Sequence, residues 1–148
     1  MPPDPDQLLE FARRYAAAWC SQDPSSVAEH YAPEGSLAIN GGPPAVGRAA
    51  NTEAARGFMT ALPDMEVLMD DLLVSDSGIE FHWTFTGTNT GPGGTGNRVC
   101  ISGFEEWTIG DDGLIAESQG RYDQAEYDRQ LEHGVDSQSR QFRADRRS

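Results

Sequence analysis

The chain has 148 residues and a formal net charge of −13, from 11 basic and 24 acidic side chains. This length predicts one domain that is large enough to bury a sizeable core. The acidic balance disfavours nucleic acid and anionic membrane surfaces as partners, because clustered Lys and Arg bind both of them. Two cysteines, Cys20 and Cys100, cannot make a disulfide framework and are expected to be buried thiols.

The N-terminus is not expected to be a signal peptide. The N-terminal segment MPPDPDQLLE has neither the basic region nor the apolar core of a signal peptide. No apolar run approaches the roughly 20 residues of a membrane span, so we expect a soluble cytoplasmic protein. We predict a folded domain over residues 1–134, followed by a polar, flexible tail over residues 135–148.

Helical periodicity marks the first half of the chain. A first helix is predicted after the capping residue Asp4 and ends before Ser21. Its apolar stripe contains Leu8, Ala12, Tyr15 and Trp19. A short second helix is predicted from Asp23 to Tyr31, and a third from about residue 49 to residue 62, where Pro63 ends it.

Strand periodicity follows the helices. A short strand is predicted over residues 36–40, after a turn at residues 32–35. Four longer strands are predicted over residues 66–74, 79–88, 98–109 and 114–123, before a last helix over about residues 124–131. Helices first and an antiparallel meander afterwards indicate an α+β fold, with the helices on one face of a curved sheet.

Three common catalytic or cofactor motifs are missing or stand in the wrong context. Residues 91–96 match the dinucleotide pattern G-x-G-x-x-G, but a strand rather than a helix follows, so we predict a hairpin loop. The histidines are scattered along the chain and predict no metal site. No nucleophile elbow and no local cysteine–histidine pair occurs, so covalent catalysis is not indicated.

The segment from Gly103 to Asp123 carries the candidate chemistry. An Asp-Gly turn predicts that it forms two paired strands. The second strand would place polar side chains on one face, which we expect to meet a pocket. These side chains are Glu117, Gln119, Arg121 and Asp123.

Two carboxylates of this segment are candidate acid/base groups. Asp123 is placed either in the pocket or as a cap for the helix that starts at Gln124, and the two roles can coexist. Glu105 shares a strand face with Trp107. If that face is inward, the aromatic surroundings would raise the pKa of Glu105 and let it hold a proton.

Short motifs spread over residues 7–132 resemble one known family. They are Trp19 with Asp23-Pro24, YAPEG at residues 31–35, Gly47-Arg48, WTFTGT at residues 83–88, and DGLIAE at residues 112–117 leading to Asp123. In this order they resemble the nuclear-transport-factor-2-like superfamily and, within it, the SnoaL-like polyketide cyclases. The resemblance implies a cone-shaped α+β barrel, in which N-terminal helices pack in a curved mixed or antiparallel sheet. It also implies an apolar pocket and a homodimer through the convex sheet face.

The resemblance also implies a chemistry. In the cyclases, an aspartate near the end of the last strand is the acid/base for an aldol closure that needs no metal or cofactor, and Asp123 occupies that position. Glu105 stands where these enzymes often have a histidine. Gln119 and Asn89 replace a common tryptophan and a common histidine. Other members of the superfamily open epoxides with water, or isomerise ketosteroids with a tyrosine as oxyanion donor, for which Tyr15 is the candidate.

We therefore predict a cofactor-free and metal-free acid/base enzyme, either a cyclase, an isomerase or a hydrolase. Its ligand would be a hydrophobic, oxygenated small molecule such as a polyketide, terpenoid or steroid. Asp123 would move the proton, Glu105 would be its partner acid, and Arg121 would orient it. The predicted substrate-binding residues are Tyr15, Trp19, Tyr31, Asn40, Phe58, Met59, Trp83, Phe85, Trp107 and Gln119. The alternative is a non-catalytic ligand-binding or dimeric interaction domain of the same fold.

Overall fold

A computed structural model gives the fold and describes residues 4–75 and 78–134. The helices are α1 (Pro5–Cys20), α2 (Pro24–Ala28), α3 (Arg48–Ala61) and α4 (Gln124–His133). The strands are β1 (Tyr31–Ile39), β2 (Ala45–Val46), β3 (Glu66–Ser75), β4 (Gly78–Thr88), β5 (Arg98–Ile109) and β6 (Ile115–Arg121). The predicted flexible tail lies outside the described residues and stays a prediction.

The strands form one mixed sheet in the order β2-β1-β6-β5-β4-β3. Strands β3 to β6 make the antiparallel meander that the sequence predicts, and β1 joins it parallel to β6. Register shifts interrupt β1, β3 and the β5–β6 pair, and such bulges bend a sheet. The α+β class is confirmed: helices pack against a curved, six-stranded sheet that does not close.

Helix α1 lies against the inner face of the sheet, which we define as the face with the buried side chains. Its N-terminus is capped as predicted, because the Asp4 side chain accepts a hydrogen bond from the Gln7 backbone N–H at 3.3 Å. One side of α1 is buried over its whole length, as its apolar stripe predicts. The buried residues are Leu8, Phe11, Ala12, Tyr15, Ala16, Ala18 and Trp19.

The segment around Tyr31 differs from its prediction. The second helix ends at Ala28, and Tyr31 begins β1 rather than ending a helix. Pro33 lies inside this strand, where we expected a turn. A proline fits there because β2 pairs only with Ser36 and Leu37, so the outer edge of β1 needs no N–H from Pro33. At the start of β1, the Tyr31 side chain is fully buried in the core.

The two cysteines have different environments. Cys20 is half-buried, and its sulfur accepts a hydrogen bond from the Val67 backbone N–H at 3.1 Å. Cys100 is exposed, so the expectation of two buried thiols is wrong for Cys100. Among the described helices, none combines the length and the apolar composition that a membrane crossing requires.

Candidate functional site

A cavity of about 50 Å³ lies between α1, α3 and the inner face of the sheet. Its wall is aromatic and aliphatic except for one carboxylic acid, Glu105. The lining residues are Trp19, Leu37, Ile39, Phe58, Met65, Val67, Phe81, Trp83, Phe85, Glu105, Gly120 and Tyr122. An apolar wall with few polar groups is the usual composition of a small-molecule site.

Glu105 is 6% exposed and is held by three hydrogen-bond donors. Its Oε1 accepts from the Ser118 hydroxyl at 2.7 Å, the Trp107 indole N–H at 2.9 Å and the Tyr15 hydroxyl at 3.0 Å. The Tyr15 hydroxyl in turn lies 2.8 Å from the Tyr31 hydroxyl. We call Tyr15, Tyr31, Glu105, Trp107 and Ser118 the Glu105 cluster.

The strand register explains why these side chains meet. On β5, Glu105 and Trp107 both point to the inner face because successive strand residues alternate. On β6 their cross-strand partners are Gly120 and Ser118, respectively. The Ser118 hydroxyl therefore lies beside the Glu105 carboxyl group, while Gly120 leaves open space next to it.

The charges in the Glu105 cluster are set mainly by burial. Burial raises the pKa of Glu105, and the hydrogen bonds from Trp107, Ser118 and Tyr15 lower it by a smaller amount. Burial also raises the pKa of Tyr15 and Tyr31, and the negative charge of Glu105 raises both further. Both tyrosines therefore stay protonated, with Tyr31 donating to Tyr15 and Tyr15 donating to Glu105.

The two oxygens of Glu105 are not equivalent. Oε1 takes the three short hydrogen bonds, whereas Oε2 has one longer contact of 3.3 Å with the Tyr15 hydroxyl. A carboxylate oxygen can accept two hydrogen bonds, so Oε2 keeps acceptor capacity. An acid with a raised pKa in an apolar cavity can take a proton when ionised and return it when neutral.

The polar face of β6 does not meet the cavity, which corrects our prediction. Gln119 lies on the outer face and donates to Glu117 at 2.9 Å. Arg121 is exposed and lies 3.9 Å from Glu106. The Asp123 side chain is exposed and accepts from the Glu126 backbone N–H at 3.1 Å, as the cap of α4. The physical reason is the register of β6, whose inner positions are Ser118 and Gly120.

All seven of the predicted aromatic residues lie at the cavity or in the Glu105 cluster. Trp19, Phe58, Trp83 and Phe85 line the cavity, while Tyr15, Tyr31 and Trp107 form the cluster.

Besides Gln119, two more of the predicted substrate-binding residues are placed elsewhere. Met59 is buried in the core but does not line the cavity. The Asn40 side chain accepts from the Tyr122 backbone N–H at 2.9 Å and holds the chain end of β6 in place. Asn40 adopts a φ of 52°, a left-handed conformation that asparagine tolerates well. Asn40 therefore forms a turn at the end of β1.

Sequence reasoning missed Ser118 and Tyr122. Ser118 donates the shortest hydrogen bond to Glu105, and Tyr122 closes the cavity wall beside Trp83. Burial raises the pKa of Tyr122 to about 12. A usable signal existed, because on β6 the small residues Ser118 and Gly120 alternate with charged or amide residues. On a half-buried strand the polar set usually faces water.

Residues that could hold a metal ion do not cluster in the described part of the chain. Within residues 4–75 and 78–134, no group of three or more His, Cys, Asp or Glu side chains is arranged for a metal ion. His82 lies on the outer face, where its Nε2 is 2.9 Å from Glu80 and its ring stacks on Phe104.

The comparisons with known proteins identify the family and the fold of the chain. The family model of the SnoaL-like polyketide cyclases matches residues 9–131. The chain belongs to this family. Among the curated proteins that were compared, none matches the SnoaL-like chain.

Solved structures share the fold at low sequence identity. A candidate SnoaL-like polyketide cyclase from Jannaschia sp. CCS1 is 18% identical, with a TM-score of 0.76 over 91% of this chain and 99% of that one. TsrD from Streptomyces laurentii is 20% identical, with a TM-score of 0.74 over 90% and 100%. The epoxide hydrolase/cyclase-like enzyme SalBIII, which acts in pyran ring formation in salinomycin, is 19% identical, with a TM-score of 0.70 over 83% and 95%. At these identities the likeness shows the fold alone.

Proposed function

We propose that this SnoaL-like chain is a proton-transfer enzyme for a hydrophobic, oxygenated small molecule, with Glu105 as its acid/base group. The observation that carries the proposal is a buried carboxyl group, of raised pKa, in the wall of an otherwise apolar cavity. Such a group has its pKa moved toward neutral pH, which is where general acid–base catalysis is most effective. Family membership supports the choice of a cyclase or a related isomerase or hydrolase.

In this mechanism the substrate occupies the cavity with an acidic C–H or an oxygen next to Oε2 of Glu105. The ionised carboxylate takes a proton, and the neutral acid returns one at a later step. Hydrogen bonds from Ser118, Trp107 and Tyr15 fix the carboxyl orientation through Oε1. Cyclisation, isomerisation and epoxide opening all need such a transfer, so the proposal covers polyketide, terpenoid and steroid substrates.

A test of the proposal needs a substrate that reports on a base in an apolar site. The probe 5-nitrobenzisoxazole suits it, because removal of its ring C–H proton breaks the N–O bond and gives a coloured cyanophenolate. We expect Glu105→Gln to lower the protein-dependent rate by at least about 100-fold, since the amide cannot take the proton. The wild-type rate should rise with pH as Glu105 ionises through its raised pKa.

Glu106→Gln is the matched control. Glu106 is the next residue on β5, but it is exposed on the outer face, so its variant should keep the wild-type rate. Circular dichroism and melting temperature would show that both variants are folded. Equal rates for wild type and Glu105→Gln would refute the assignment of Glu105.

A second candidate function is ligand binding without catalysis. The three hydrogen bonds that Glu105 Oε1 already accepts favour this alternative, because a buried carboxyl group with several donors can have a purely structural role. In that case aromatic probes would bind in the cavity, and the cleavage of 5-nitrobenzisoxazole would not depend on Glu105.

A further inference from the structure

We infer that the indole N–H of Trp83 donates the hydrogen bond that selects the ligand of this cavity, and that the ligand presents a neutral acceptor oxygen to it. The inference rests on the proposed function in one respect, namely that the cavity binds a small molecule. It adds a residue role and a ligand class that the acid/base proposal does not contain.

The first observation is an unpaired donor. Within the described residues, two buried side-chain polar atoms lack a hydrogen-bond partner: Asn51 Oδ1 and Trp83 Nε1. Asn51 does not line the cavity, and its amide nitrogen still donates to the Gly35 carbonyl oxygen at 3.1 Å. Trp83 does line the cavity and is 7% exposed. Of these two unpaired atoms, Trp83 Nε1 is the one that belongs to a residue of the cavity wall, so we assign it to a ligand of the cavity.

The second observation is the contrast with Trp107. Both tryptophans are buried on the inner face, and the indole N–H of Trp107 is paired with Glu105 at 2.9 Å. Buried indole N–H groups usually find such a partner, because a buried donor without one lowers stability. A specific buried group that stays unpaired calls for an explanation, and a bound molecule is one of the few available.

The third observation is that the chain makes room for this indole. Gly103 is the cross-strand partner of Trp83. A Cβ at Gly103 would meet the backbone oxygen of Arg121, and it would lie 2.8 Å from the indole atom Cη2. The indole of Trp83 therefore lies across β5 at a position where only glycine fits, and its ring approaches Tyr122 with centroids 6.0 Å apart.

A second glycine keeps the space beside Glu105 open. A Cβ at Gly120 would lie 3.8 Å from Glu105 Cγ and 3.5 Å from the Ala38 carbonyl oxygen, which are ordinary contacts. Glycine is therefore not needed at this position for steric reasons. Gly103 leaves room for the indole of Trp83, and Gly120 lines the cavity beside Glu105.

The wall also restricts the charge of the ligand. No Arg or His lines the cavity within the described residues, while Glu105 supplies a negative charge when it is ionised. An anionic ligand would meet an unfavourable charge and no cationic partner. The aromatic faces, the donor and the acid together therefore favour an uncharged molecule with a ketone, ester, ether or epoxide oxygen.

Acetophenone and α-methylstyrene test this inference, because they differ in a carbonyl oxygen against a CH₂ group of similar size. The indole ¹H–¹⁵N resonance of Trp83 is identified by its loss in Trp83→Phe. We expect acetophenone to shift this indole proton downfield, and α-methylstyrene to bind without that shift. We also expect wild type to prefer acetophenone by about 3- to 10-fold more than Trp83→Phe does.

Trp19→Phe is the matched control, since Trp19 also lines the cavity. It should change the affinity for both probes by similar factors and keep their ratio. The resonance measurement on wild type needs no variant, so it stands even if Trp83→Phe is destabilised. Binding of acetophenone without a shift of the Trp83 resonance, an unchanged ratio in Trp83→Phe, or binding of neither probe would overturn the inference.

These results are separable from those of the acid/base test. If Trp83 is not the donor, loss of benzisoxazole cleavage in Glu105→Gln is still expected. If Glu105 is not the base, the carbonyl preference and the Trp83 shift are still expected.

Discussion

The two faces of the β5–β6 hairpin carry similar residues and differ completely in their chemistry. Glu105 and Glu106 are neighbours on β5. Glu105 is 6% exposed, accepts three hydrogen bonds and has a raised pKa, whereas the Glu106 side chain is 52% exposed and lies 3.9 Å from Arg121. One strand position therefore separates a buried acid of raised pKa from an exposed surface carboxylate.

The difference shows that polar composition is a poor guide to a site in this fold. The hairpin face with the most polar residues faces water, where a charge costs little. The inner face has a single acid, and the fold supplies the donors that make its burial tolerable. The predictions below alter one face at a time, beginning with the largest expected effect.

Gly103→Ala should give the largest loss of stability. Its Cβ would collide with the Arg121 backbone and the Trp83 indole, and we expect a cost of about 3 kcal/mol in the free energy of unfolding. Gly120→Ala is the matched control on the neighbouring strand and should be neutral or stabilising by about 0.5 kcal/mol, because its methyl group meets only ordinary contacts. Urea denaturation measures both. Equal effects would contradict the packing of Trp83 over Gly103.

Ser118→Ala should have the next largest effect. It removes the 2.7 Å hydrogen bond to Glu105 and should cost about 1.5 kcal/mol where Glu105 is ionised. It should also raise the pKa of Glu105 further, because the Ser118 hydrogen bond lowers that pKa. A ¹³C titration of the Glu105 carboxyl group measures the shift. Gln119→Ala, on the outer face, should leave this titration unchanged, and a shift of equal size there would argue against a local effect.

The pH dependence of stability should reveal the raised pKa of Glu105. The pKa of Glu105 is raised in the folded state, so the folded chain holds this proton more tightly than the unfolded chain. Its contribution is therefore fully present below its ordinary pKa of 4.5 and is lost as the pH rises through the folded value. Glu105→Gln should remove this decline in urea unfolding above pH 4.5, and an unchanged slope would contradict it.

Glu126 should change the pH dependence of stability in the direction opposite to that of Glu105. Hydrogen bonding from Arg129 lowers the pKa of Glu126 from 4.5 to about 2. Its contribution to stability is therefore present above pH 4.5 and is lost as the pH falls toward 2. Glu126→Gln should weaken the acid-side loss of stability without changing the decline that Glu105 causes. The effect should be small, because the pair is partly exposed.

The smallest change in monomer stability is expected from a substitution on the outer face of the sheet, where the predicted homodimer would form. Leu73 is 46% exposed there, opposite Glu80. We expect Leu73→Asp to reduce the dimer fraction in light scattering, while it changes monomer stability by less than about 0.5 kcal/mol. Val46→Asp, at the far edge of the sheet, is the control and should leave the dimer intact. A wild-type mass of one chain would contradict the predicted dimer.

The sequence by itself determined the class of fold and most of its elements. The 3.6-residue pattern of α1 and the alternation in β4 and β5 are local signals, and the structure reproduces them. They also indicated that Phe81 shares a strand face with Trp83, and Glu105 with Trp107; the structure shows that both of these faces are inward. The motifs of residues 7–132 resembled a family to which the chain does belong.

Only the tertiary structure decided which side of β6 meets the cavity and whether Asp123 lies in it. Both depend on the register between β5 and β6, which shifts between Thr108 and Ile109. A shift of one residue reverses the faces of a strand, and the alternation of Ser118 and Gly120 with polar residues is a weaker signal than an apolar stripe. The hydroxyl pair of Tyr15 and Tyr31 likewise joins residues far apart in sequence. Long-range contacts of this kind turned Glu105 from a partner acid into the central group of the site.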